Sequence, residues 1–156
     1  MTPDELPGYL LGLGRAVRAR AALDAADAMA QSYQRDVVQS MRGPSPSPPG
    51  SPPARRSGTL ARSTRAEPAK PAGAGRATSS VAPHAVYARI QQKGGVIVPV
   101  RAKVLRWKEG GKYRYARRVV LPARPYMVMT AARARRCRER GIRAVERVVR
   151  EALDGG

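Results

Sequence analysis

The sequence is poor in the residues from which catalytic and metal sites are usually built. Its 156 residues include one cysteine, Cys137, and one histidine, His84. A single cysteine excludes an intrachain disulfide and a multi-thiolate metal cluster, and it fits a reducing compartment such as a bacterial cytoplasm. His84 has no evident acid–base partner and Cys137 no activating base, so we interpret them as a loop residue and a small core residue. No Walker, Rossmann or zinc spacing occurs, and we expect neither enzyme activity nor a cofactor or bound metal.

Long apolar runs and aromatic residues are also scarce. No stretch of about eighteen apolar residues could span a bilayer, and we expect no membrane partner. Asp4 and Glu5 stand where a secretory signal would be basic. Phenylalanine is absent, which excludes an aromatic RNA-binding strand, and neither a Cys/His finger nor leucine-zipper heptads are present. Sequence-specific reading of nucleic acid is therefore poorly supported.

Positive charge, by contrast, is abundant. The chain has 30 Lys and Arg against 11 Asp and Glu, a formal charge of +19, and residues 101–150 alone carry 17 basic and 3 acidic residues. Such a field attracts polyanions, so nucleic acid or an acidic protein surface is the expected neighbour. Because 25 of the basic residues are Arg, there is an alternative explanation for the positive charge. A GC-rich coding sequence produces an excess of arginine, which would then lie on a solvated surface without a polyanion partner.

Hydrophobic periodicity and turn residues divide the chain into three regions. Residues 1–42 contain a predicted amphipathic helix over 15–41, with apolar or small residues at spacings of three and four. Residues 43–80 are rich in Pro, Gly, Ser and Arg, which predicts an extended, polyproline-like arm, mobile in the free subunit. Residues 81–156 combine β character with a helix that begins after Thr130 and runs to about Leu153. The prediction is one small α+β domain: N-terminal helix, Pro-rich insertion, small antiparallel sheet with a hairpin, and C-terminal helix.

The predicted sheet is the most basic part of the chain. Strands are expected over 97–100, 103–107 and 113–121, the last two joined by a turn at Gly110-Gly111. Alternate residues of 113–121 differ only modestly in polarity. A sheet this rich in Arg is best explained if its polar face meets solvent or a neighbouring subunit.

Four short motifs occur in order between residues 57 and 127. They are Ser-Gly-Thr-Leu-Ala-Arg-Ser at 57–63, Tyr-Ala-Arg-Ile-Gln-Gln-Lys-Gly-Gly at 87–95, Ile97-x-Pro99 followed by Ala-Lys-x-Leu-Arg-Trp at 102–107, and Leu-Pro-Ala-Arg-Pro-Tyr-Met at 121–127. Together they resemble elements of the virion-morphogenesis family of tailed phages, which comprises tail-completion and neck proteins. The positions that carry the resemblance include Gly58, Leu60, Tyr87, Gly94, Gly95, Pro99 and Pro122.

The resemblance implies a non-enzymatic structural subunit of the phage head–tail interface. It would be made in the host bacterial cytoplasm and would act in the virion as a homo-oligomeric ring, expected to be hexameric. This ring would join the tail to the head connector or stopper and to the tail tube, and would let DNA pass with at most non-specific contact. A tail-terminator ring and a basic nucleic-acid-associated protein are the alternative functions.

Two sets of residues are candidates for contact with other molecules. Residues predicted to line a channel or to face an acidic adjoining ring are Arg114, Arg117, Arg118, Arg133, Arg136 and Arg140. The predicted junction consists of Arg124, Pro125 and Tyr126, where two prolines hold the chain extended. Arg124 could bond groups across a subunit junction or only its own backbone, and both alternatives are open at this point.

Overall fold

A computed structural model describes residues 6–154 and confirms the α+β class. The helices are α1 (Leu6–Ser40), α2 (Thr59–Ser63), α3 (Ala88–Lys93) and α4 (Ala131–Asp154). The strands are β1 (Thr64–Ala66), β2 (Lys70–Pro71), β3 (Ala77–Thr78), β4 (Val81–Pro83), β5 (Gly95–Ile97), β6 (Leu105–Glu109), β7 (Lys112–Ala116) and β8 (Val119–Leu121). No helix in the described part is long and apolar enough to cross a membrane.

The two long helices pack side by side and antiparallel. Ion pairs join Arg20 to Glu151 near one end and Asp36 to Arg136 near the other. Between them, Gly141 of α4 lies against Met29 of α1, where a Cβ atom would come within 2.9 Å of the methionine side chain. Small residues let two helix backbones approach closely, so this seam depends on the many alanines of α1 and on Gly141.

Both long helices match the sequence expectations with local differences. Helix α1 begins at Leu6, nine residues earlier than predicted. Pro7 is compatible with this start because it lies in the first turn, where the backbone N–H that proline lacks would have no partner within the helix. Thr130 caps α4 as predicted, its Oγ1 accepting a hydrogen bond from the Arg133 N–H at 3.3 Å.

The β structure consists of separate pairs instead of the single sheet that was predicted. Among the described residues the strands form four two-stranded antiparallel pairs: β1 with β4, β2 with β3, β5 with β8 and β6 with β7. The predicted strand over 113–121 is divided at Arg117-Arg118, where the chain leaves β7 and enters β8. As a result β5–β8 forms a stem, and β6–β7 forms an inner hairpin beyond it.

The Pro-rich region is more structured than its composition suggests. The expectation of an extended, polyproline-like arm over residues 43–80 is wrong for residues 59–78, where α2, β1, β2 and β3 lie. The prolines cluster at 44–53, and the strands that follow are two or three residues long, so the prolines within 59–83 fall at strand ends or in loops. Even residues 44–56 are anchored: the Gly50 N–H donates to the Ala123 carbonyl at 2.9 Å, and the Arg55 N–H to the Met41 carbonyl at 2.8 Å.

Candidate functional site

Three of the four motifs meet in one buried cluster. Leu60 of α2, Ala88 of α3 and Tyr126 pack together against Val37 and Met41 of α1. Tyr126 is only 1% exposed. These residues are far apart in sequence, so the motifs form a single structural unit that is closed by the N-terminal helix.

Backbone hydrogen bonds tie the second motif to the fourth. The Arg124 N–H donates to the Gln91 carbonyl at 2.8 Å. The Gln92 side-chain oxygen accepts from the N–H groups of Tyr126 and Met127 at 3.0 and 3.2 Å. Gln92 thus satisfies two donors that the prolines around Arg124 leave outside any ladder. Gln92 belongs to a motif that is visible in the sequence. Its role depends on the antiparallel β5–β8 pair, which brings the chain after β8 back beside α3.

Gly94 is the tightest point of this unit. It has φ of +69°, and a Cβ there would lie 2.7 Å from the Ala123 nitrogen and 2.8 Å from the Leu121 oxygen. Both neighbours are backbone atoms, so neither can move aside cheaply. The positive φ and the close backbone approach are two separate reasons for glycine at this position. Gly95 follows as the first residue of β5, with Leu121 as its register partner.

The remaining motif positions lie outside the buried cluster. Gly58 precedes α2 with φ of +77°, and a Cβ there would meet the guanidinium groups of Arg55 and Arg62. Tyr87 precedes α3 and lines a small pocket against α2. Pro99 lies in the loop between β5 and β6, and Pro122 directly after β8; both are half-buried.

Arg124 and Pro125 lie on the surface of this unit that faces the Pro-rich segment. The Arg124 guanidinium donates to the Ser47 carbonyl at 3.1 Å, so it bonds backbone of its own chain. Its Nε atom is buried without a hydrogen-bond partner among the described residues. Pro125 is half-buried between Arg124 and Tyr126. In this chain Arg124 therefore holds residues 44–56 against the fourth motif.

The arginines predicted to face a channel have different environments. Arg133 donates to the carbonyls of Tyr126, Val128 and Asp36, so it fastens the start of α4 to the core. Arg136 pairs with the Asp36 carboxylate at 2.9 Å, and Arg140 lines the adjacent groove between α1 and α4. On the β side, Arg117 and Arg118 are exposed at the bend between β7 and β8. Arg114 pairs with Glu109 at 3.5 Å, both side chains being largely exposed.

Strand register divides the inner hairpin into two unlike faces. Arg106 is opposite Tyr115, and Lys108 opposite Tyr113, so these four side chains share one face. The Arg106 guanidinium lies 5.1 Å from the centre of the Tyr113 ring, which agrees with that assignment. The opposite face carries Leu105, Trp107, Glu109, Lys112, Arg114 and Ala116. The first face was missed by the sequence analysis, although the alternation of residues 105–116 contains its signal.

Burial alters the acidity of two tyrosines in the core. Desolvation raises the pKa of Tyr126 to about 12, with a smaller contribution from nearby Tyr87. Burial also raises the pKa of Tyr33, an effect that the positive charge of Arg133 partly offsets. Both phenols are therefore neutral at ordinary pH and serve as packing groups.

The residues considered for catalysis lie apart from each other. The His84 Nε2 atom is 3.3 Å from a Glu67 carboxylate oxygen at the surface, and Cys137 is buried on the inner side of α4. Across residues 6–154, no three His, Cys, Asp or Glu side chains form a group that could hold a metal ion.

Comparisons with known proteins give no match from which a function could be assigned. No family model, curated protein or solved structure matches this sequence or its fold.

Proposed function

We propose that this protein is a structural subunit of the head–tail interface of a tailed phage, a tail-completion or neck ring that joins tail to head. The observation that carries the proposal is the convergence of motifs around Tyr126. Elements matched only as short, separate stretches of sequence pack as one unit through Leu60, Ala88 and Tyr126. A chance resemblance in three unrelated stretches of sequence would not require them to pack together.

Unpartnered surfaces support assembly with other subunits. The strands described form only two-stranded pairs, so each strand has one edge whose backbone groups are not used in a ladder. Helix α4 also carries an exposed apolar flank, with Ile142, Val149 and Leu153 exposed by 50%, 42% and 77%. This flank lies about a third of a turn from the stripe that packs on α1. A neighbouring copy in a closed ring could cover such surfaces.

Within such a ring, the six predicted arginines fall into three groups, of which one, Arg114 and Arg136, forms ion pairs with carboxylates of its own chain. Arg117, Arg118 and Arg140 are exposed and could face a channel or an adjoining ring. Arg133 is engaged by three carbonyls of its own chain and serves the fold of the subunit. The ring number of six and the head and tail partners follow from the family resemblance.

Native mass spectrometry and light scattering over a range of concentrations test the proposal. We expect a discrete ring mass, and a strict monomer at every concentration, with or without connector and tail-tube rings, would overturn it. Val149→Lys should lower the mass because it places a charge on the apolar flank of α4. Arg143→Lys is the matched control, since it places the same side chain elsewhere on α4 and should leave the mass unchanged.

Loss of the gene provides an independent test. A phage without this protein should accumulate separate filled heads and tails, visible by negative-stain microscopy. Joined particles in the absence of the protein would contradict the proposed function.

A further inference from the structure

The inner hairpin β6–β7 has a composition that is unusual for protein packing. It extends beyond the β5–β8 stem, and its two strands pack chiefly on each other. An isolated two-stranded hairpin is only marginally stable in water without a further strand or helix, so β6–β7 contributes little to the stability of the fold. A function in contact with another molecule explains why it is there.

One face of this hairpin consists only of hydrogen-bond donors suited to phosphate. Its side chains are Arg106, Lys108, Tyr113 and Tyr115, all exposed, with Tyr113 and Tyr115 at 57% and 60%. Arginine and lysine offer charge, and tyrosine offers a hydroxyl, and all three are common partners of nucleic-acid phosphates. No carboxylate and no aliphatic side chain occurs on this face.

The opposite face is organised differently. Leu105 and Ala116 at its base are half-buried, and the remaining residues of this face are exposed. Farther out, Arg114 is paired with Glu109 at 3.5 Å, which partly neutralises it. The two faces therefore differ in charge although they belong to the same ten residues.

We infer that the face formed by Arg106, Lys108, Tyr113 and Tyr115 binds the phosphate backbone of duplex DNA without sequence preference. A two-stranded ribbon fits the B-DNA major groove, and the five-residue strands span roughly 17 Å, about five base pairs. The face carries Arg106 and Lys108 and no acidic residue, which gives the complementary charge. The inference goes beyond the proposed function, because it concerns a ligand and holds for a monomer as well as for a ring.

Fluorescence anisotropy with a labelled mixed-sequence duplex of about 20 base pairs, measured between about 50 and 200 mM salt, tests the inference. The test variant is Arg106→Gln/Lys108→Gln. Its matched control, Lys112→Gln/Arg114→Gln, removes one lysine and one arginine from the other face of the same hairpin. Far-ultraviolet circular dichroism and the thermal midpoint verify that both variants fold like the wild type.

The test variant should bind at least about tenfold more weakly at 0.1 M salt than the wild type. The slope of log K against log salt should become less steep by about 1.8, since each phosphate contact contributes about 0.9. The control should bind within about twofold of wild type, with its slope unchanged. Tyr113→Phe/Tyr115→Phe should weaken binding a few-fold without changing the slope, because it removes hydroxyl donors and no charge.

Several results would overturn the inference. Equal losses in test and control variants would mean that total charge alone attracts DNA. Tighter binding to the single strand than to the duplex would exclude the duplex as ligand. Absence of wild-type binding at about 50 mM salt would leave the hairpin as a docking element for a partner protein. If the protein is a monomer that binds duplex DNA through this face, the proposed ring is contradicted and the DNA-binding inference is supported. The failure of the proposed function can therefore be distinguished from the failure of the inference.

Discussion

Replacement of Gly94 by alanine provides the sharpest test of the motif cluster. Two costs are expected. The backbone of Gly94, with φ of +69° and ψ of −178°, lies in a region that is nearly restricted to glycine and costs an alanine about 1–3 kcal/mol, and the new Cβ would lie 2.7 and 2.8 Å from backbone atoms of Ala123 and Leu121. Relieving that overlap requires separation of α3 from the chain after β8, for which about 2 kcal/mol is a representative overpacking cost. We therefore expect Gly94→Ala to lower the free energy of unfolding by about 3–5 kcal/mol.

Gly75 offers a control for the cost of a positive φ without a steric clash. Its φ is +67°, nearly that of Gly94, but nothing lies within 4 Å of a Cβ built there. Gly75→Ala should therefore cost only about 1–2 kcal/mol. Both variants replace glycine by alanine and so change the unfolded chain alike; their difference therefore reports the steric contribution at Gly94 together with the added backbone cost of its extended ψ of −178°.

Urea unfolding followed by circular dichroism at the helix band gives both free energies, since α1 and α4 dominate that signal. A gap of about 2 kcal/mol is expected between the two variants. If they unfold within about 0.5 kcal/mol of each other, the close approach of Gly94 to Ala123 does not occur and the description of the cluster is wrong.

Two further predictions concern the core and the helix seam. Tyr126 keeps its proton up to a pKa of about 12 in the folded state, whereas the unfolded chain loses it near 10, so its stabilising contribution is complete below pH 10 and is lost between pH 10 and 12. Between pH 10 and 12 the wild type should lose about 2–3 kcal/mol more than Tyr126→Phe, which keeps the contribution of Tyr33, in pH-dependent urea unfolding; equal pH profiles would contradict it. Gly141→Ala should leave stability unchanged or lower it in the wild type, where Met29 crowds the new Cβ, but raise it by about 1 kcal/mol in a Met29→Ala background. Identical effects in both backgrounds, measured as a double-mutant cycle, would show that the two residues are not in contact.

Local patterns in the sequence were sufficient for the α+β class, both long helices, the cap at Thr130 and the Gly-Gly turn of the inner hairpin. Each depends on residues that are neighbours in the chain, where periodicity and turn chemistry act directly. The same patterns left the Pro-rich region poorly described. Its short strands are held by partners farther along the chain, such as β4 for β1, and composition carries no record of such pairing.

The roles of individual side chains were decided by the tertiary structure. Arg133 could be assigned to a channel while only its charge was known, but the fold brings three carbonyls within its reach and makes it part of the core's support. Arg124 likewise bonds Ser47 because the Pro-rich segment folds back across the fourth motif. Charge and hydrogen-bonding capacity belong to the residue and can be read from the sequence. The partner that uses them is set by long-range packing, which is why the sequence could list the basic residues while only the fold could sort them.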